Sequence, residues 1–233
     1  MSGSEAARYG ETWVYESIVG AVPGLSLRPR TAVIVQFVVF EAVVLLLAAS
    51  YDQWRAVPAG TVAVAVAAVG SAFMHDLGRR IRNVPVPYAY SRLLFGSSIE
   101  VVLGILAYAA LLTYLFVVDP RTSGTLITDL LGPDPSILSV YLLLVVLWDV
   151  TYRIGTGWWA AVVSLWRTLR LDLDPRTANA LRAADRRVLV FAAVQLALVP
   201  FLLGHPVLAI AVGGHVVAVF GVVGLSLALS RTP

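Results

Sequence analysis

The chain has 233 residues, of which 59% are hydrophobic and only 13% charged, with a formal net charge of +3. Soluble domains carry about 25% charged residues, so this composition excludes an ordinary water-soluble enzyme and points to an integral membrane protein. Cysteine and lysine are both absent, which removes disulfides, thiol nucleophiles, thiolate metal sites and any lysine Schiff base, a retinal chromophore included.

All 17 basic residues are arginine. No basic stretch is interleaved with aromatics, so no nucleic-acid partner is expected. The partner the composition implies is the lipid bilayer. In chain order, the first 27 residues carry Glu5, Glu11 and Glu16 and lack a basic segment followed by an apolar core, so no cleavable signal peptide is expected. Val14, Ile18 and Val22 recur at helical spacing beside Trp13 and Tyr15. That pattern suits a short interfacial helix with its aromatics at headgroup level, or equally a frayed tail.

A helix crossing the bilayer needs roughly 20 apolar residues at 1.5 Å each. Residues 31–50, 57–74, 93–118, 188–203 and 206–229 meet that need or come close to it. Residues 137–169 are the difficult stretch. Split at Arg153–Gly157, each half would reach only about 22 Å, short of a hydrocarbon core of roughly 30 Å. Charge gives an independent test. With this stretch as one helix and the N-terminus inside, Arg28, Arg30, Arg79, Arg80, Arg82, Arg92 and the arginines from Arg167 to Arg231 share the cytoplasmic side. Only Arg55 and Arg121 lie opposite. A hairpin would expel the cluster from Arg167 to Arg187 and break the rule. The expected fold is therefore all-α: a six-transmembrane-helix bundle with a short N-terminal interfacial helix and both termini cytoplasmic. It divides into a segment 1–30, a bundle 31–229 and a tail 230–233, placed as a multi-pass protein of the cell membrane. Asp174 before Pro175 reads as the N-cap of a short cytoplasmic helix leading into the fifth span.

Ionisable groups in hydrocarbon cost a few kcal/mol, so each needs a partner or a purpose. Glu41 and His215 fall near the midplane, Gln195 midway along the fifth span, Asp149 near or just below the middle, and Glu100 and Arg153 in the inner third. Asp149 and Arg153 are four residues apart and share a helix face. Depth alone brings Glu100 level with Arg153, so the arginine is expected between two carboxylates. A Glu41–His215 contact is allowed by depth in the same way. Gly214, Ala218 and Gly221 form a small-residue stripe suited to tight helix packing, within the chain or between copies in a homo-oligomer. Arg79, Arg80, Arg82 and Arg92 read as positive-inside anchors, or as a contact for a lipid headgroup or other anion. Trp158, Trp159 and Trp166 read as interfacial aromatics. No helix carries the Glu-x-x-His pair of bundle di-metal sites, and the three histidines sit at three depths, so neither a metal nor a haem is expected, and no cofactor at all.

The stretches "YGETWVYESIVGAVPG", "YSRLLFGSSIEVVLGILAY" and "LWDVTYRIGTGWWAAVVSLWR" together resemble an uncharacterised family of haloarchaeal integral membrane proteins over nearly the whole chain. The resemblance implies an archaeal plasma membrane and high intracellular salt, and brings no known activity. Three functions stay open: movement or gating of a small solute or ion through the buried acidic, arginine and histidine core; a structural or accessory subunit whose polar residues fix helix packing; and a membrane-embedded enzyme acting on a lipid or isoprenoid.

Overall fold

A computed structural model describes residue 13 and residues 28–121 and 124–230. The expected N-terminal interfacial helix lies outside these residues, except for Trp13. That side chain is not at a headgroup surface: it is buried and packs edge-on against Phe95 at 4.9 Å. The described residues contain eight α-helices and no strand. They are α1 (Pro29–Tyr51), α2 (Val57–Arg82), α3 (Tyr88–Phe95), α4 (Ile99–Thr113), α5 (Leu126–Leu131), α6 (Ile137–Arg170), α7 (Pro175–Gln195) and α8 (Pro206–Leu229).

Residues 137–170 form one uninterrupted helix of 34 residues, α6. Ser136 caps it, its side chain accepting from the Ser139 amide, and no glycine or proline in it sits where a break would follow. This rod touches all seven other helices and is the axis of the bundle. α1 lies against α2, α4 against α6, and α7 between α2 and α8.

Two segments differ from the expectation. The third apolar run does not form one helix. It breaks at Gly96–Ser98, where Ser98 adopts φ 55, and restarts as α4, which loosens into a π turn at Tyr114–Val118. The expected short cytoplasmic helix and the start of the fifth span are a single helix, α7, begun by Asp174. The Asp174 carboxylate accepts from the Arg176 and Thr177 amides, and its bonds to Thr177 hold it below the usual carboxylate range. At Leu196 the chain tightens into a 3-10 helix through Leu202. Pro200 has no N–H to give the Leu196 carbonyl, so an α-helix cannot continue through it.

Five helical segments among the described residues are long and apolar enough to cross a membrane: Pro29–Tyr51, Trp54–Arg82, Tyr88–Arg121, Ile137–Arg170 and Pro206–Leu229. The fifth expected span, 188–203, is not one of them, because its α-helical part is short and follows a run of charges from Arg182 to Arg187. Large apolar side chains such as Ile34, Leu46, Leu106, Ile210 and Val217 stand on the outside of α1, α4 and α8. An apolar surface of that kind is what lipid contact calls for.

The closest helix approach is between α4 and α6. A Cβ on Gly104 would lie 3.1 Å from the Tyr152 ring, and one on Gly155 would lie 3.3 Å from the Gly104 amide nitrogen. The small-residue stripe on α8 does not do the same. Gly214 and Gly221 have nothing within 4 Å of where a Cβ would stand and face outward. Gly104→Leu is therefore expected to cost about 1–3 kcal/mol by overpacking, read as a lowered unfolding transition in detergent. Gly221→Leu should leave the transition in place. Equal losses in the two variants would contradict this packing.

Candidate functional site

The polar centre is built on α6. Asp149 and Arg153 face the same side one turn apart, as the sequence spacing requires. The guanidinium Nη2 lies 2.7 Å from Asp149 Oδ1, and Nε donates to Oδ2 at 3.1 Å. Arg153 is fully buried and Asp149 is 2% exposed. A two-pronged pair is the strongest form this interaction takes and the form that tolerates burial best.

Two neighbouring helices complete it. From α1, Gln36 donates to Asp149 Oδ2 at 3.1 Å. From α2, the Ser71 hydroxyl donates to Gln36 Oε1 at 2.8 Å, and Met74 offers its sulfur to Arg153 Nη1 at 3.3 Å. The residue before Ser71 is Gly70, and a Cβ there would stand 2.3 Å from Arg153 Cδ. The arginine side chain thus crosses α2 through the space that a missing side chain leaves. Phe191 of α7 closes the other side, stacked on Phe73 at 4.7 Å.

The other expected site residues are placed as follows. Glu100, in the first turn of α4, is fully buried, and neither carboxyl oxygen has a hydrogen-bond partner among the described residues. It does not bracket Arg153 as equal depth suggested. Depth fixes a position along a helix axis and leaves the direction around it open. Glu41 Oε1 accepts from Thr61 of α2 at 2.7 Å, while Oε2 is buried without a hydrogen-bond partner. Glu41 does not meet His215, whose ring lies against the edge of Trp158 at 6.1 Å and whose Nε2 is buried with no hydrogen bond. Gln195 is buried at the end of α7 with its Oε1 unbonded. Arg79 and Arg80 pair with Asp76, Arg82 lies over the Phe95 ring at 5.9 Å, and Arg92 is exposed on α3. Trp159 is only partly at a surface and donates to the Leu93 carbonyl at 3.2 Å.

Sequence reading passes over three groups. Gln36 is a polar residue inside the first apolar run, as visible as Glu41, but an amide carries no charge to draw attention. Arg167 reads as an anchoring arginine, yet it is buried in a forked pair with Asp185, 2.6 Å at the shorter contact, and its guanidinium lies over the Tyr90 ring at 5.6 Å. His205 sits between Asp119 and Asp129, 3.1 Å from each. Those three residues are far apart in the chain, and no spacing signals them.

A cavity of about 550 Å³ occupies the half of the bundle away from the arginine-rich end. It runs along α6 from Ser139 to Ile154 and along α8 from Val207 to His215, with α1, α2 and α4 closing the sides. Its deep end lies level with the turn of α6 that carries Asp149 and Arg153, neither of which lines it. The opposite half is filled by Phe73, Met74, Leu77, Tyr152, Leu181 and Phe191. Among the described residues no cluster of histidine and acidic side chains is suited to holding a metal ion.

Removing the guanidinium alone should leave Asp149 buried and unbalanced. Arg153→Met is expected to lose about 3–5 kcal/mol, and Arg153→Met with Asp149→Leu to recover most of it, measured by unfolding in detergent. Gly70→Ala should lose about 1–3 kcal/mol by displacing the arginine. Combining it with Arg153→Met should add little, because the clashing atoms are then flexible. Full additivity of Gly70→Ala and Arg153→Met would show that the two positions do not meet.

No curated protein and no solved structure matches this chain. Residues 8–226 match DUF7530, a family of unknown function. That match spans nearly the whole sequence, and the chain belongs to the DUF7530 family.

Proposed function

We propose that this is a six-span protein of the cell membrane, with both termini on the cytoplasmic side, that moves or gates a small solute through the centre of its bundle. The sixth crossing is α7 with its 3-10 extension. The positive-inside rule favours the orientation, since α2, α6 and α7 gather arginines at one end. The observation that carries the reading is the cavity: a space of about 550 Å³ in one half of the bundle, with the other half filled by large side chains. One half hollow and the other packed is the form expected of one state of a gated path.

The cavity wall narrows the solute. No aspartate, glutamate or arginine lines it, so it offers an ion no counter-charge. A weakly polar organic solute fits better. The Asp149–Arg153 network supports a second role beside this one. Each of its groups has a partner, as in polar contacts that fix helix register, so it acts as a brace beside the cavity and not as a passage.

Proteoliposomes test the reading. Wild type is expected to pass at least one of a set of protons, alkali cations, chloride, short-chain carboxylates and amides faster than protein-free vesicles, with an organic solute leading. Ala211→Phe, which fills the cavity, should lower that flux at least tenfold. Asp149→Asn, which unbalances the brace, should change it more than Glu41→Gln does. Background flux of every solute with the wild type would overturn the proposal.

A further inference from the structure

His205 stands at the turn between the 3-10 segment and α8, 4% exposed, with a carboxylate on each ring nitrogen. Nδ1 lies 3.1 Å from Asp119 Oδ1, and Nε2 lies 3.1 Å from Asp129 Oδ2. A neutral imidazole has one N–H, so it donates to one of these oxygens and turns a lone pair on the other. Only the imidazolium donates to both. The arrangement is complete in one protonation state and a bond short in the other.

The two carboxylates are not equivalent. Asp119 is fully buried, its Oδ2 accepts from the Leu126 amide at 2.6 Å, and the Tyr114 hydroxyl is bonded to it as well. With those donors around it, Asp119 stays in place and keeps a proton on the nitrogen that faces it. The Asp129 side chain is 58% exposed, so water can take over its oxygens when the ring offers a lone pair. Asp129 is therefore the arm that lets go. The other charged side chains at this end, Asp52, Arg55, Arg121 and Asp134, are all exposed.

Asp129 belongs to α5, which puts Leu126, Leu130 and Leu131 on the cavity wall. At six residues α5 is too short to be stable alone, so its position depends on what ties it down. Two of its ties, from the Leu126 amide to Asp119 and from Gln53 to the Leu131 carbonyl, need no proton on the ring. The tie through Asp129 does.

We propose that His205 is a proton-operated latch on the cavity: protonated on both nitrogens it ties α5 to the start of α8, and loss of one proton frees Asp129, lets α5 lift and opens the cavity to water at the end remote from Arg153. The latch regulates the solute path proposed above and rests on that reading of the cavity. Its sign follows from the charged ring being the form that makes both bonds, so the tie holds at low pH and is lost as pH rises. Histidine is the side chain whose charge ordinarily changes between pH 5 and 8.

The chain has no cysteine, so a single introduced thiol reports access without background. Val146→Cys places one on the α6 wall of the cavity, and Leu142→Cys serves should the first not fold. In lipid nanodiscs, its rate of modification by a charged, membrane-impermeant methanethiosulfonate is divided at each pH by the rate at the exposed Pro133→Cys. From pH 5 to pH 9 that ratio is expected to rise roughly tenfold, the factor one hydrogen bond to a charged group carries. Adding Asp129→Ala or His205→Phe should give the high ratio at both pH values. Adding Asp129→Asn should give the low ratio at both, because an amide donates to the neutral nitrogen and accepts from the charged ring. A wild-type ratio that does not change with pH, or the same pH response with Asp129→Asn as without it, would overturn the proposal. Access that follows pH together with background solute flux would refute the transport reading and uphold the latch. Flux with access constant in pH would do the reverse.

Discussion

An arginine with no exposed surface in the middle of a long apolar helix has to be neutralised by something within reach, and that requirement organises this bundle. Arg153 meets it first on its own helix, through Asp149 one turn away. The pair leaves lone pairs on the carboxylate, and Gln36 of α1 takes one of them. Gln36 in turn is oriented by Ser71 of α2. Once inserted, transmembrane helices gain little from the hydrophobic effect, because lipid is as apolar as their neighbours. Close packing and polar contacts choose the register instead. Here the chain of bonds from α6 to α1 to α2 admits one relative height for the three helices, and Gly70 admits one rotation of α2 against the arginine.

The two halves of the bundle differ in side-chain volume. Toward the arginine-rich end the centre holds phenylalanines, tyrosine, methionine and leucines. Toward the other end the residues facing the centre include Ala59, Gly60 and Ala63 of α2, Ala107 and Ala110 of α4, and Ala211 of α8. Six helices spaced for the larger set leave room where the smaller set faces inward. The 3-10 segment after Gln195 carries Leu198 and Leu202 along the wall.

The parts legible in the sequence are those set by distance along one helix. The single unbroken helix over 137–170 followed from length and from where a hairpin would send its arginines. The Asp149–Arg153 pair followed from a spacing of four. The parts that were not legible depend on direction around a helix. Glu100 shares the depth of Arg153 but does not bond to it. The α8 stripe has the composition of a packing face, yet Gly214 and Gly221 point outward. The break at Ser98 and the tightening at Leu196 are backbone events. The second was readable from Pro200, whose missing donor falls four residues after Leu196, and the first from the Gly-Ser-Ser run beside it. Residues 8–226 match a family whose function is unknown, so the comparison adds no role for any of these side chains.

Partner satisfaction separates the buried polar residues into two sets. Asp149, Arg153, Gln36, Ser71, Arg167 and Asp185 are bonded within networks that join helices. Removing any of them leaves a buried group unpaired, which is the behaviour of residues that hold a fold. Glu100, His215, Gln195 and Oε2 of Glu41 carry buried atoms with no hydrogen bond among the described residues. A fold has no need of such atoms, and each lowers stability where it stands. The set that costs stability is therefore where function is to be sought. Within it His215 is a residue that lines the cavity, although its Nε2 is closed off from that space, whereas Glu100 and Gln195 do not line it. The division separates bonded networks that join helices, built largely on α6, from buried atoms that lack a hydrogen bond among the described residues.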